Sequence, residues 1–289
     1  MLEALAPYAL PIIFIILSPV IGGLLMGVDR KITARMQSRI GPPLVQPFYD
    51  VMKLWGKKPF ITNIFQPILA FGYMGFAFLA LALVAFGMDM LIILFTVAIA
   101  DICLVGAGYS SKSPFSYFGA RRELLVIIAY EPLLFLTAIC IYLVSGSFLL
   151  SQLFLLGLPL AMLLPGVYLT MALVLLAELK KSPYDVSASA HAHQELVRGV
   201  YTEFSGYSMA LVELGHWGKA VLMLSFLALF WANNLVLGSA LAFVFFFATI
   251  VIDNSYPRLT WQKMIRTFWI AGFALILLNL AGLIIIGVI

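Results

Sequence analysis

The chain has 289 residues, of which 63% are apolar and only 10% charged, and a formal net charge of +4. Soluble domains carry charge at about a quarter of their positions, so a single water-soluble core is excluded and a polytopic membrane protein is implied. Nothing in this balance suggests nucleic-acid binding, and the two cysteines, Cys103 and Cys140, fall in apolar segments without metal spacing, too few to hold an iron–sulfur cluster within this chain.

A bilayer span takes about 20 mostly apolar residues. In chain order the sequence predicts eight of them, over 7–28, 66–88, 90–109, 124–144, 159–179, 208–231, 235–252 and 268–288, which makes an all-α membrane domain covering 1–289. The first is not expected to be a cleaved signal peptide, because Glu3 stands where a basic segment would be and no small-residue cleavage site follows. An apolar run over 148–157 is too short to span, and reads as an interfacial or re-entrant piece before the fifth span.

Charge placement predicts the orientation. Sixteen of the 17 Lys and Arg residues fall in alternate loops: Arg30 to Lys58 after the first span, Lys112, Arg121 and Arg122 after the third, Lys180, Lys181 and Arg198 after the fifth, and Arg258, Lys263 and Arg266 after the seventh. The positive-inside rule puts these four polar loops in the cytoplasm and both termini outside. The opposite loops carry Asp89 alone.

Ionisable groups within spans are costly and by default mark an ion path. The sequence places Asp101 in the third span, Glu131 near the start of the fourth, Glu178 at the end of the fifth, and Glu213, His216 and Lys219 in the sixth. The last three follow i, i+3, i+6 spacing and should be neighbours along one helix face. Two readings stay open for them: a proton relay, or a buried Glu213–Lys219 pair that only compensates charge. The loop over 177–206 is the most charged stretch, with Asp185, His191, His193, Glu195 and Glu203 among its residues. Two imidazoles without a third evident ligand point to a structural or proton-carrying role, not to a metal site. No nucleophilic triad, phosphate loop or zinc motif is present, so no catalytic residue is assigned.

Several motifs are more specific. They are DRKITARMQSRIGPPLVQPFYDVMKLWGKKPF, with Arg39-Ile40-Gly41-Pro42, Gln46-Pro47 and Asp50 to Leu54; FGARRELLVIIAYEPLL, with Arg121, Arg122 and Glu131; AELKKSPYDV, with Glu178, Pro183 and Asp185; QELVRGVYTEFSG, with Glu195 and Glu203; and NSYPRLTW, with Pro257 and Arg258. In this order, across all four basic loops, they resemble the NuoH-type membrane subunit of respiratory complex I and its hydrogenase relatives. The Gly-Pro-Pro turn runs directly into Gln46-Pro47, without the longer insert of quinone-reducing members, and Asp253-Asn254-Ser255 precedes Pro257. Both features are similar to the membrane-bound nickel–iron hydrogenase and formate hydrogenlyase branch. Where relatives carry an acidic Glu-x-Glu pair, this chain has His191 and His193.

The resemblance implies a subunit of the cell membrane that performs no redox chemistry itself. Iron–sulfur clusters, and in the hydrogenase branch a nickel–iron centre, would reside in partners: a hydrogenase-like large subunit, an iron–sulfur small subunit and antiporter-like membrane subunits. Arg39, Asp50, Lys53, Arg121, Arg122 and Arg258 would dock those partners. Asp185, His191, His193 and Glu195 would form the coupling loop, and Glu203 would join Glu131, Glu178, Glu213, His216, Lys219 and Asp101 in the ion path. The expected complex is a ferredoxin-dependent, ion-translocating hydrogenase. A sulfane sulfur reductase built from the same parts, a quinone-binding dehydrogenase subunit and a stand-alone transporter are the alternatives.

Overall fold

The computed structural model describes residues 2–61, 63–181, 183–184 and 198–286. Asp185, His191, His193 and Glu195 therefore lie outside the described residues. Helices dominate because a backbone in hydrocarbon must satisfy its own N–H and C=O groups. In chain order they are α1 (Leu2–Met36), α2 (Gln46–Trp55), α3 (Phe65–Ala85), α4 (Met90–Ser110), α5 (Pro114–Ser145), α6 (Leu160–Leu163), α7 (Pro165–Glu178), α8 (Tyr207–Leu229), α9 (Leu235–Ser255), α10 (Trp261–Thr267) and α11 (Phe273–Ile286). A π-helical segment, Phe268–Gly272, joins the last two, so the eighth span is one interrupted rod.

Among the described residues seven helices are long and apolar enough to cross a membrane, and α7 is a shorter apolar helix. The chain is a multi-pass membrane protein. Two spans outrun their predicted limits: α1 has 35 residues and α5 has 32, about 50 Å each at 1.5 Å per residue. Hydropathy alone misses their charged ends, which remain helical beyond the apolar stretch. Glu131 consequently sits mid-helix in α5 and not near its start.

The fifth span differs most from expectation. It breaks at Leu164 (φ −123°, ψ 55°), because the residue before a proline is pushed out of the helical region, and α7 restarts with Pro165 in its first turn. The broken backbone is repaired from the eighth span. Asn279 Oδ1 accepts from the N–H groups of Gly166 and Val167, at 3.0 and 3.2 Å, and Asn279 Nδ2 donates to the Leu163 carbonyl. Gly166 allows this approach, since a Cβ there would stand 2.4 Å from the Leu275 carbonyl oxygen.

Loop contacts sort the connections onto two ends. At one end Lys181 bonds Asp29 and Asp253, Asn63 bonds the Ser110 carbonyl, Ser205 bonds Phe60, and Leu259 N–H bonds the Pro183 carbonyl. At the other, the α3–α4 turn bonds the 3₁₀ segment Leu150–Leu155, and Asn233 bonds Leu156 and Gly157. The first end carries the four basic loops. The short run before the fifth span is thus a surface-capping 3₁₀ piece.

Helix α8 runs through the centre, packed against α1, α3, α7 and α9. Gly22 and Gly23 let α1 approach Trp217 and Phe48, whose rings meet edge to face at 5.3 Å.

Single cysteines at Lys57 and at Asp89 are expected to react with impermeant reagent from opposite sides of sealed vesicles, and same-side labelling would contradict this topology. Replacing Asn279 by Leu removes three bonds at the helix break and is expected to cost about 2 kcal/mol of stability in detergent. No change in the unfolding midpoint would show the break is satisfied otherwise.

Candidate ion path

One face of α5 carries a polar residue every seventh position: Ser116, Glu123, Tyr130 and Thr137. Seven residues are about two turns, so these groups align, and all four are buried. Two charged clusters form around this stripe.

In the inner cluster Lys219 of α8 is 3% exposed, and its Nζ lies 2.5 Å from Asp101 Oδ1 of α4 and 2.7 Å from Glu178 Oε2 of α7. The Tyr130 hydroxyl donates to Asp101 Oδ2 at 2.6 Å. Two carboxyl groups thus share one ammonium. Glu178 Oε1 is buried without a hydrogen-bond partner, leaving one acceptor in the cluster open. Glu131 is half-buried and in electrostatic reach of Asp101 and Lys219.

The second cluster lies nearer the basic end, with Glu123 two turns before Tyr130 on α5. Lys180 Nζ contacts Glu123 Oε1 at 2.7 Å and the Tyr201 hydroxyl at 2.6 Å, and it stands 4.8 Å from the Tyr201 ring centre. Burial alone would lower Lys180, but Glu123 together with Tyr201 and Tyr73 outweighs it, so Lys180 is held above the usual lysine range and stays charged. Burial pushes the Tyr201 phenol up to about 12 despite the opposing effect of Lys180. The Gly199–Tyr201 turn reaches this position because Gly119 of α5 has no side chain; a Cβ there would stand 2.2 Å from the Val200 nitrogen. Buried Tyr73 of α3 lies between the clusters, in electrostatic reach of Lys180, Tyr201, Asp101 and Glu178.

A polar cavity of about 190 Å³ opens beside the second cluster, lined by Met26, Arg30, Lys180, Tyr201, Val212, Glu213 and His216. Arg30 leads outward to Asp50 of the amphipathic helix α2, at 2.5 Å. Burial would raise the Asp50 carboxyl, yet hydrogen bonds from Arg30 and Gln46 outweigh it and hold it below the usual carboxylate range.

The sequence-predicted residues thus separate into groups. Asp101, Glu178 and Lys219 come together with Glu131 beside them, while Glu213 and His216 share the cavity. Glu213 is not the partner of Lys219, which is fully engaged by Asp101 and Glu178, so the compensating-pair reading of Glu213 and Lys219 is corrected. Glu203 is half-exposed, ahead of α8. Of the expected docking residues, Arg39 bonds Gln37, Asp50 pairs with Arg30, Lys53 is exposed, exposed Arg121 lies 6.0 Å from the Tyr117 ring centre, and Arg122 and Arg258 are half-buried. Sequence reasoning missed Glu123, Tyr130, Lys180 and Tyr201 as site residues. The heptad spacing on α5 carried the signal for the first two.

Replacing Lys219 by Met leaves two buried carboxyl groups facing each other without their cation, a change expected to cost about 3–5 kcal/mol. Adding Asp101→Asn should restore most of that loss. A single variant as stable as the parent would show that the ion pair is not what joins α4, α7 and α8.

Comparison with known proteins agrees with this architecture. A family described as NADH dehydrogenase matches residues 8–284. The chain is 31% identical over 279 residues to NADH-ubiquinone oxidoreductase chain 1 of Oryctolagus cuniculus, covering 84% of each chain. It is 32% identical over 241 residues to hydrogenase-4 component C of Escherichia coli (strain K12), covering 76% of this chain and 72% of that relative. Its fold is similar, with a TM-score of 0.79 and 23% identity, to a chain in the structure of the membrane-bound sulfane sulfur reductase, an archaeal respiratory membrane complex, covering 95% of this chain and 99% of that one. By the match over 8–284, the chain belongs to the NADH dehydrogenase subunit 1 family of complex I and its hydrogenase relatives.

Proposed function

We propose that this chain, a membrane subunit of a complex-I-related assembly, anchors and couples a ferredoxin-dependent energy-converting hydrogenase in the cell membrane. The observation that carries this reading is the pair of buried ionisable clusters, Glu123–Lys180–Tyr201 with the cavity of Glu213 and His216, and Asp101–Lys219–Glu178 further in. Such groups are expensive in a membrane and are retained where charge must enter it. The hydrogenase branch is supported by the short first loop, where Gly41 (φ +77°) turns directly toward α2, and hydrogenase-4 component C is among the relatives, at 32% identity beside 31% for NADH-ubiquinone oxidoreductase chain 1. A second reading, the equivalent subunit of a sulfane sulfur reductase, rests on the fold likeness alone.

Redox centres of iron–sulfur and nickel–iron type would belong to the partner subunits, docked on the basic end. This chain's own groups would hold and move charge. A change of charge at the docked face acts on Arg30 and Lys180, which border the cavity containing Glu213 and His216. Lys180 remains charged through its bond to Glu123, so it biases the protonation of its neighbours without titrating. Further in, the Tyr130 hydroxyl bonds Asp101 and lies beside Glu178, and its rotation would carry a proton between the two carboxyl groups. The carboxyl pair that shares Lys219 is where such a proton would be held. Whether the exported ion is a proton or sodium depends on the antiporter-like partners.

Glu213→Gln keeps shape and hydrogen-bonding capacity while deleting a titrating group, and it breaks no ion pair of the inner cluster. The assembled variant complex is expected to transfer electrons at a near-parental rate in detergent and to lose ion-gradient formation in sealed vesicles. Normal gradient formation would contradict its place in the path. Purifying the complex through a tag on this chain should recover a nickel–iron catalytic subunit; recovery of a sulfur reductase subunit would favour the second reading.

A further inference from the structure

A second, apolar cavity lies away from the ion path. It measures about 700 Å³ between α1, α3, α8 and α9, and it extends toward the end that carries the turns at Gly87 and Asn234. Its deep wall is formed by Leu25, Val221 and Leu224, all buried. Its rim is formed by Leu235 and Phe243, 49% and 52% exposed on the surface that faces lipid.

We propose that this cavity holds one hydrocarbon chain of a membrane lipid as a resident part of the structure. A groove of this size that opens toward the bilayer is not left unfilled, because apolar walls without neighbours lose their packing contacts. Water does not fit the lining. Among the described residues no ionisable side chain borders the cavity, and of its three serine hydroxyls those of Ser225 and Ser239 are bonded to the carbonyls of Val221 and Val236, which leaves Ser151 at the exposed rim. A quinone head would find only the exposed Ser151 hydroxyl at the rim, and no connection to the basic end. An unbranched or isoprenoid lipid tail needs only apolar walls and an opening toward the bilayer, and both are present. The turns next to the rim, over 86–89, 146–157 and 230–234, contain no Lys or Arg, so the lipid is held by its tail and does not require an anionic headgroup.

The test places photo-leucine at Leu224 in the assembled complex, exchanges the membrane for detergent, irradiates, and identifies the adducts by mass spectrometry. Leu277 of α11, 62% exposed, serves as the control for loosely associated lipid. The proposal expects a lipid adduct at Leu224 that survives detergent exchange, several-fold above that at Leu277, from membranes of either neutral or anionic lipid. Ala242→Phe together with Ser225→Leu fills the cavity from two sides and should remove the adduct while the complex still assembles. An adduct unchanged by this filling, no lipid adduct at Leu224, a peptide adduct or a quinone adduct would each overturn the proposal. Should the filled variant fail to assemble, the ratio of adducts at Leu224 and Leu277 in the parental complex decides.

Discussion

The fold is organised around one ammonium group. Lys219 Nζ, nearly inaccessible to solvent, bonds Asp101 and Glu178 at once, and thereby ties α4 and α7 to α8. Between helices in lipid the hydrophobic effect offers little, because the surrounding tails are as apolar as the side chains, and association leans on packing and on polar contacts. Removing one partner of such a buried pair typically costs about 3–5 kcal/mol, which makes the cluster a strong local constraint. It is also unbalanced, with two carboxyl groups for one cation and one carboxyl oxygen left without a partner. Two carboxyl groups competing for one ammonium form a site that can accept a proton without being dismantled.

The surroundings maintain this imbalance while keeping it connected to the basic end. Pro165 shortens α7 to 14 residues, and the capping of its broken start by Asn279 fixes where Glu178 ends up. Gly119 admits the Gly199–Tyr201 turn, which brings Tyr201 onto Lys180. Gly22 and Gly23 draw α1 against α8 and α2, and this places Arg30 at the cavity of Glu213 and His216. Lys181 joins Asp29 and Asp253, so the same short segment after α7 clamps the ends of α1 and α9. Three charged residues within four positions therefore have three tasks. Glu178 serves the inner cluster, Lys180 the outer one, and Lys181 the clamp.

Much of this was legible in the sequence. Apolar runs of span length and the alternation of basic loops yielded the helix order and the two-ended sorting, because both follow from bilayer thickness and from the cost of charge in hydrocarbon. Asp101, Glu178 and Lys219 were legible as intramembrane charges for the same reason. Their mutual pairing was not, since it joins residues 118 positions apart and depends on the rotation of three helices. The i, i+3, i+6 spacing suggested that Glu213 belonged with Lys219, yet helix rotation turns Glu213 toward the cavity and Lys219 toward α4 and α7. Lys180 was read as one more loop charge, because a side chain just beyond a span carries no sign in the sequence that it folds back into a buried bond. The break at Leu164 was hidden within a continuous apolar run, although Pro165 marked the place.

The central claim is that the Asp101–Lys219–Glu178 cluster changes its protonation when the docked redox partner changes its charge. Redox-difference infrared spectroscopy on the reconstituted complex reads this directly, since a carboxyl group that gains or loses a proton changes its C=O stretch. The account predicts a protonated-carboxyl band that appears or vanishes on reduction of the complex and is abolished by Glu178→Gln while electron transfer persists. A difference spectrum without such a band, or one untouched by that substitution, would show the cluster to be a fixed structural joint and would contradict the account.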